Sequence, residues 1–127
     1  MAPIRFVTPA ALIPRHHPNQ MDQINPTQLK EWLDRAGDKA PLLLDVRENW
    51  EYETAHIEKS RLIPMNTIPA RLAELDPDAD TVVICHHGGR SAQVAMFLER
   101  NGFKKVFNLA GGVDGWARQV DNGMATY

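Results

Sequence analysis

Between Asn25 and Val120, short apolar runs alternate with segments of helical period, and this alternation restricts the possible folds more than any other feature of the chain. Asn25-Pro26 is an N-cap and first-turn pair, and Leu29, Trp32 and Leu33 recur at helical spacing, so a helix is expected to about Ala36 with Gly37 as its stop. Pro41 to Val46 reads as a strand buried on both faces, Glu48 to Thr54 as one or two helical turns, Arg61 to Pro64 as a short strand and Ile68 to Leu75 as a short helix. Thr81-Val-Val-Ile84 is β-branched and is the clearest strand. The pattern from Ser91 to Arg100 is helical, with Val94, Ala95 and Leu98 on one face and Asn101-Gly102 after it. A last strand over Lys105 to Asn108, a tight turn at Gly111-Gly112 and a helix over Val113 to Val120 complete the series. Strands alternating with helices specify an α/β domain around a largely parallel sheet. The expected organisation is an irregular arm over residues 1–22, interrupted by Pro3, Pro9, Pro14 and Pro18, followed by one domain over 23–127. Packing of Phe6, Val7, Leu12 and Ile13 against the domain or a second subunit stays open.

Bulk properties exclude several classes of function. A formal net charge of −2 offers no basic face for nucleic acid. One cysteine allows neither an internal disulfide framework nor a multi-cysteine zinc site, and it suits a reducing compartment. No apolar run reaches the roughly 20 residues of a membrane-spanning helix, and the early stretch Phe6 to Ile13 is broken by Pro9. The expectation is a soluble, cytoplasmic protein without a membrane or nucleic-acid partner.

Ligands of parallel sheets collect where strand C-termini meet helix N-termini, and Cys85 to Arg90 occupy one such junction. Backbone N–H groups in the loop and the first helical turn lack intrahelical acceptors, so a curled loop aims them at one point, at the positive end of the helix dipole. A sulfur at that point is stabilised as an anion. Gly88 and Gly89 suit a curled loop, Arg90 adds a permanent charge whose planar fork fits an oxyanion, and His86 and His87 add donors or charge near neutral pH. The plainer reading makes Cys85 an inert core residue, since free cysteine is among the most buried types. A metal site is disfavoured, because Cys85, His86 and His87 are consecutive whereas zinc ligands are usually spaced; His16 and His17 read as solvated. No cofactor is expected.

Cys85-His-His-Gly-Gly-Arg90-Ser91, with a strand before and a helix after, resembles the active-site loop of the rhodanese family. Asp45-Val-Arg-Glu48, Glu51-Tyr52, His56-Ile57 and Gly111-Gly112-Val-Asp-Gly-Trp116 resemble its other signatures, in family order and over roughly residues 23–120. The resemblance implies a three-layer domain with a five-stranded, mostly parallel sheet flanked by helices. It implies that Cys85 accepts sulfane sulfur from thiosulfate or a persulfide and passes it to cyanide or a thiol. Residues His86, His87, Gly88, Gly89, Arg90 and Ser91 would then form the binding loop, their amides cradling the persulfide while Arg90 holds the donor's oxyanion. Asp45 and Arg47 are expected as a supporting ion pair, because buried charge must find partners, and His56 as a structural hydrogen-bonder. Trp32, Trp50 and Trp116 read as core or half-buried packing residues. Lys104 and Lys105 read as solvated, with an acidic sulfur-acceptor protein as an alternative partner.

The sequence departs from the family pattern at Ala55 and Lys59, where glycines are common, which raises the question of positive φ in that turn. Two rival functions are separable. A cysteine phosphatase or arsenate reductase needs one more residue between cysteine and arginine than the four found here, and Ile84 stands where its signature has histidine. A persulfide carrier or partner-binding module without turnover of its own would keep the fold and depend on a second protein.

Overall fold

The computed structural model of the chain describes residues 21–127. The proline-rich stretch with Phe6, Val7, Leu12, Ile13, His16 and His17 lies outside the described residues. Five strands, β1 (Asp22–Ile24), β2 (Leu42–Asp45), β3 (Arg61–Leu62), β4 (Asp80–Ile84) and β5 (Lys105–Leu109), form one sheet in the order β1-β5-β4-β2-β3. Every pairing is parallel. Helices α1 (Pro26–Ala36), α2 (Asn49–Thr54), α3 (Ile68–Arg71), α4 (Gly89–Arg100) and α5 (Gly112–Gln119) make the connections. This is the expected three-layer α/β domain.

Apolar runs become central strands because both faces of the sheet are covered. Successive residues of β2 and β4 point to opposite layers. Leu43 and Val82 pack with Leu29, Trp32, Phe107 and Trp116 on the α1/α5 side. Leu44 and Val83 pack with Ile68, Val94, Leu98 and Val106 on the α3/α4 side. Each such fully buried aliphatic side chain contributes about 1.5–3 kcal/mol relative to exposure. Trp32 meets Phe107 edge to face at 5.3 Å between centroids.

Asn25 caps α1 as its type predicts. Its side chain accepts from the Gln28 N–H at 2.8 Å while the Gln28 side chain accepts from the Asn25 N–H at 2.9 Å, a reciprocal capping box. Other elements differ in detail from the sequence expectation. Strand β1 is not foreseen by any pattern, being three residues long; it forms because β5 offers an edge, with Asp22 opposite Phe107 and Ile24 opposite Leu109. The helix expected over Ile68 to Leu75 is α3 followed by a 3-10 turn at Leu72–Glu74. Ala55 lies in extended backbone at φ −167°, which any residue adopts, whereas Lys59 takes a left-handed φ of 71°, so only the second departure from glycine meets a positive angle. Trp50 is 59% exposed and is not a core residue, unlike Trp32 and Trp116. No helix among the described residues is long and apolar enough to cross a membrane.

Candidate active site

Three strand-to-helix connections, β2–α2, β4–α4 and β5–α5, open at the same edge of the sheet, and each supplies part of one site. Cys85 follows β4, and α4 begins at Gly89, two residues earlier than the apolar pattern alone indicates. The cysteine is 1% exposed and borders the α3/α4 apolar layer, as the plainer reading anticipates. Its sulfur, however, faces polar groups. The Gly88 N–H donates to Sγ at 3.0 Å, and Ser91 Oγ lies 3.2 Å from it. Gly88 has φ 113°, an angle that glycine alone tolerates well, and this angle turns the chain from the loop into α4. Gly89 needs no such freedom: it is the first residue of α4, and a Cβ there would meet nothing.

The loop is held from outside by α5. Val113 N–H donates to the Cys85 carbonyl at 2.8 Å and Asp114 N–H to the His86 carbonyl at 3.0 Å, so orphan donors of one helix N-terminus fasten the loop that leads into another. Those two carbonyls are thereby turned onto α5, while the Gly88 N–H is directed at the sulfur. Gly112, at φ 59°, lets α5 approach this closely. Sequence reasoning gave the Gly111-Gly112 turn no part in the site.

Beneath the loop, Ser91 Oγ is hydrogen-bonded to Asn108 Oδ1. Asn108 Nδ2 donates to the Gly88 carbonyl at 3.2 Å and to Gln23 Oε1 at 3.1 Å. Asn108 was missed from the sequence. The available signal was a polar side chain interrupting the apolar run of β5, where a buried amide requires partners.

Asp45 and Arg47 form the expected buried pair, both side chains 0% exposed, with Nη2 to Oδ2 at 2.7 Å and Nε to Oδ1 at 2.9 Å. Arg47 also donates to the carbonyls of Glu51 and Ala55 and to the Tyr127 hydroxyl, which ties α2 and the chain end to β2. His56 hydrogen-bonds the Tyr52 carbonyl at 2.9 Å and stacks on the Tyr52 ring, a structural role. Lys104 lies on the surface in a pair with Asp78, and Lys105 is exposed.

Arg90 does not stand free. Its Nη1 and Nη2 grip the two carboxylate oxygens of Glu51 at 2.7 and 2.9 Å. Tyr127 adds a donor to Glu51 at 3.0 Å. The Arg90 hydrogen bond foremost, working against burial, holds the Glu51 carboxyl down from 4.5 to about 2. A lowered carboxyl contributes stability that is fully present above its unfolded value and is lost as pH falls toward the folded one. Wild type is therefore expected to lose about 2 kcal/mol between pH 4.5 and 2 that Glu51→Gln does not lose, the half-exposed Arg90 being screened by solvent. Urea unfolding of both proteins at pH 5 and pH 2.5 measures the difference. Glu51 and Tyr127 were not given site roles from sequence, because their partners lie on other elements.

His86 stacks on Tyr127 and meets His87 at a tilt of 37°, each ring centroid 4.0 Å away, and Trp50 meets Tyr127 edge to face. His86 Nε2 is buried with no hydrogen-bond partner among the described residues. Burial first, and then the neighbouring His87, push His86 below the ordinary histidine range. Both effects favour the uncharged ring. His87 is exposed, 3.9 Å from Asp114. Among the described residues no group of three or more His, Cys, Asp or Glu has the placement of a metal site.

Residues 25–119 match the family model described as Rhodanese-like domain. The chain belongs to that family. A curated relative, the rhodanese-like/PpiC domain-containing protein 12, chloroplastic, of Arabidopsis thaliana, is 39% identical over 89 residues, which is 67% of this chain and 30% of that protein. The rhodanese-like domain here thus spans less than a third of that relative's length. A protein named sulfurtransferase from Allochromatium vinosum is 39% identical over 77 residues, 61% of this chain and 72% of its own. Among solved structures, the rhodanese-like domain protein from Staphylococcus aureus superposes with a TM-score of 0.72 at 33% identity, covering 84% of this chain and 99% of that one. The rhodanese-like fold is therefore shared as a whole, and proteins named sulfurtransferase stand among its relatives.

Proposed function

We propose that the chain is a sulfurtransferase that carries sulfane sulfur on Cys85. The observation that carries this reading is the position of Sγ: at the N-terminus of α4, 3.0 Å from the Gly88 N–H that donates to it and 3.2 Å from the Ser91 hydroxyl. That setting favours a sulfur anion. The Cys85 thiolate attacks the outer sulfur of thiosulfate or of a persulfide, and the S–S bonding pair leaves with sulfite or a thiolate. Cys85 then holds the sulfur as a persulfide. A thiolate or cyanide attacks its terminal sulfur, takes it, and returns the Cys85 thiolate, a two-step exchange with ping-pong kinetics. The loop amides from His86 to Ser91 stabilise both anions without a general base.

Intact-mass measurement after thiosulfate treatment tests the proposal. The expected result is a gain of one sulfur atom, absent from Cys85→Ser and removed by cyanide. No adduct from thiosulfate or from any persulfide donor would overturn it.

Arg90 is the group for the donor's oxyanion, and a thiosulfate anion must share the guanidinium with Glu51. Arg90→Ala is expected to raise KM for thiosulfate roughly tenfold or more, the value of one charged hydrogen bond, while Glu51→Gln, which removes a competing negative charge, lowers it. Initial rates against thiosulfate concentration check both directions. A carrier that is loaded by a partner protein is the second reading. The exposed Trp50 against Tyr127, whose ring in turn stacks on His86, the neighbour of Cys85 in the loop, favours it, because aromatic side chains are enriched at docking surfaces.

A further inference from the structure

We propose that Asn108 is a positioning residue for Cys85, acting through the Ser91 hydroxyl as a two-position hydrogen-bond switch. The inference deepens the sulfur-carrier reading of Cys85 and rests on it. Both groups that touch the sulfur are gripped by this one amide: Asn108 Nδ2 donates to the carbonyl of Gly88, whose own N–H points at Sγ, and Asn108 Oδ1 engages Ser91 Oγ. Ser91 and Asn108 are 0% and 3% exposed, so water does not supply substitutes.

The orientation of the amide follows from its partners. The Gly88 carbonyl can only accept, so the atom facing it is the NH2 and the atom facing Ser91 is the oxygen. That oxygen needs a donor, and Ser91 has a single hydroxyl proton. While the proton lies on Asn108, Ser91 presents lone pairs to the sulfur, which suits an S–H. When the sulfur is an anion, as thiolate or persulfide, the same proton is better placed on Sγ, and Asn108 Oδ1 then loses its partner in a dry site. Asn108 and the sulfur thus compete for one proton. The amide opposes the anionic state that the Gly88 N–H supports, and it links that state to the peptide of Gly88, and through Gln23 to β1.

The pH dependence of alkylation of the single cysteine by iodoacetamide, in which the thiolate displaces iodide, reads the competition directly. The charged and titratable groups facing the loop are Asp45 and Arg47 from β2 and its end, Glu51 from α2, His86, His87 and Arg90 from the loop and α4, Asp114 from α5, and Tyr127. Changes at 108 and 91 leave all of them in place. Asn108→Leu is expected to move the midpoint of alkylation down by about one pH unit, the size of one hydrogen bond gained by a charged group. In a Ser91→Ala background the same substitution moves nothing, because no hydroxyl remains to be released. Asn108→Ala, which removes the amide without adding bulk, gives the same pair of results and replaces Asn108→Leu if that protein does not fold. An unshifted or raised midpoint in the single variants overturns the proposal, as does a shift that persists without Ser91. Iodoacetamide needs no sulfur donor. Failure to form a persulfide together with intact coupling would therefore sink the proposed function alone, whereas persulfide formation without coupling would sink the switch alone.

Discussion

Gly112→Ala is expected to destabilise the domain by about 4 kcal/mol, to lower its melting temperature by about 15 °C and, on the proposed sulfur-carrier function, to leave Cys85 unable to hold a transferable sulfur. Two costs combine. Gly112 sits at φ 59°, a left-handed conformation that costs a residue with a side chain about 1–2 kcal/mol. A Cβ at this position would also lie inside contact distance of the backbone oxygens of Cys85 and His86. These atoms cannot swing aside as a flexible side chain does, so α5 must withdraw from the loop. Withdrawal breaks the bonds from Val113 N–H and Asp114 N–H to those oxygens, each worth about 1 kcal/mol. It also frees the two carbonyls to rotate toward the sulfur, which replaces donors by acceptors at an anion. Thermal unfolding and intact mass after thiosulfate treatment measure the two consequences. A variant that melts with wild type and loads normally would show that α5 does not fasten the loop.

Asp45→Leu is expected to cost about 3–5 kcal/mol, because it leaves the guanidinium of Arg47 buried without its counter-charge. Both side chains are wholly buried, and three Arg47-to-Asp45 bonds of 2.7 to 3.1 Å connect them. The remaining acceptors of Arg47, two carbonyls and the Tyr127 hydroxyl, are neutral and do not compensate the charge. Removing the second charge as well, in Asp45→Leu/Arg47→Met, is expected to recover most of the loss, since an apolar pair of similar volume often replaces a buried ion pair at little cost. Urea unfolding of the single and double variants decides it. A double variant no more stable than the single one would mean that the hydrogen bonds of Arg47 to α2 and Tyr127 hold the region, not its charge balance.

The position of Cys85 between β4 and α4 was legible because both flanks carry local signals, the β-branched run Thr81 to Ile84 and the helical repeat of Val94, Ala95 and Leu98. The Asp45–Arg47 pair was legible because two charges at the end of a strand buried on both faces require partners. Less was visible where side chains alone decide. Trp50 carries the same residue type as Trp32 and Trp116 and lies at the surface, since α2 turns it toward Tyr127 and away from the sheet. Gly88 and Gly89 are the same residue in sequence, and only the first has a positive φ. Strand β1 has too few residues to show a period and takes its conformation from β5.

By itself, the sequence determined the order of strands and helices that follow β1, the parallel sheet and the junction at which the only cysteine stands. These follow from periodicities and turn residues within a few positions of one another. Tertiary structure alone decided what surrounds the sulfur: Asn108 under Ser91, 17 positions away in sequence; Glu51 across from Arg90, 39 positions away; and Tyr127 against Arg47, 80 positions away. A buried polar group takes whichever complementary atom the packed layers bring within 3 Å, and no local pattern specifies which one that is.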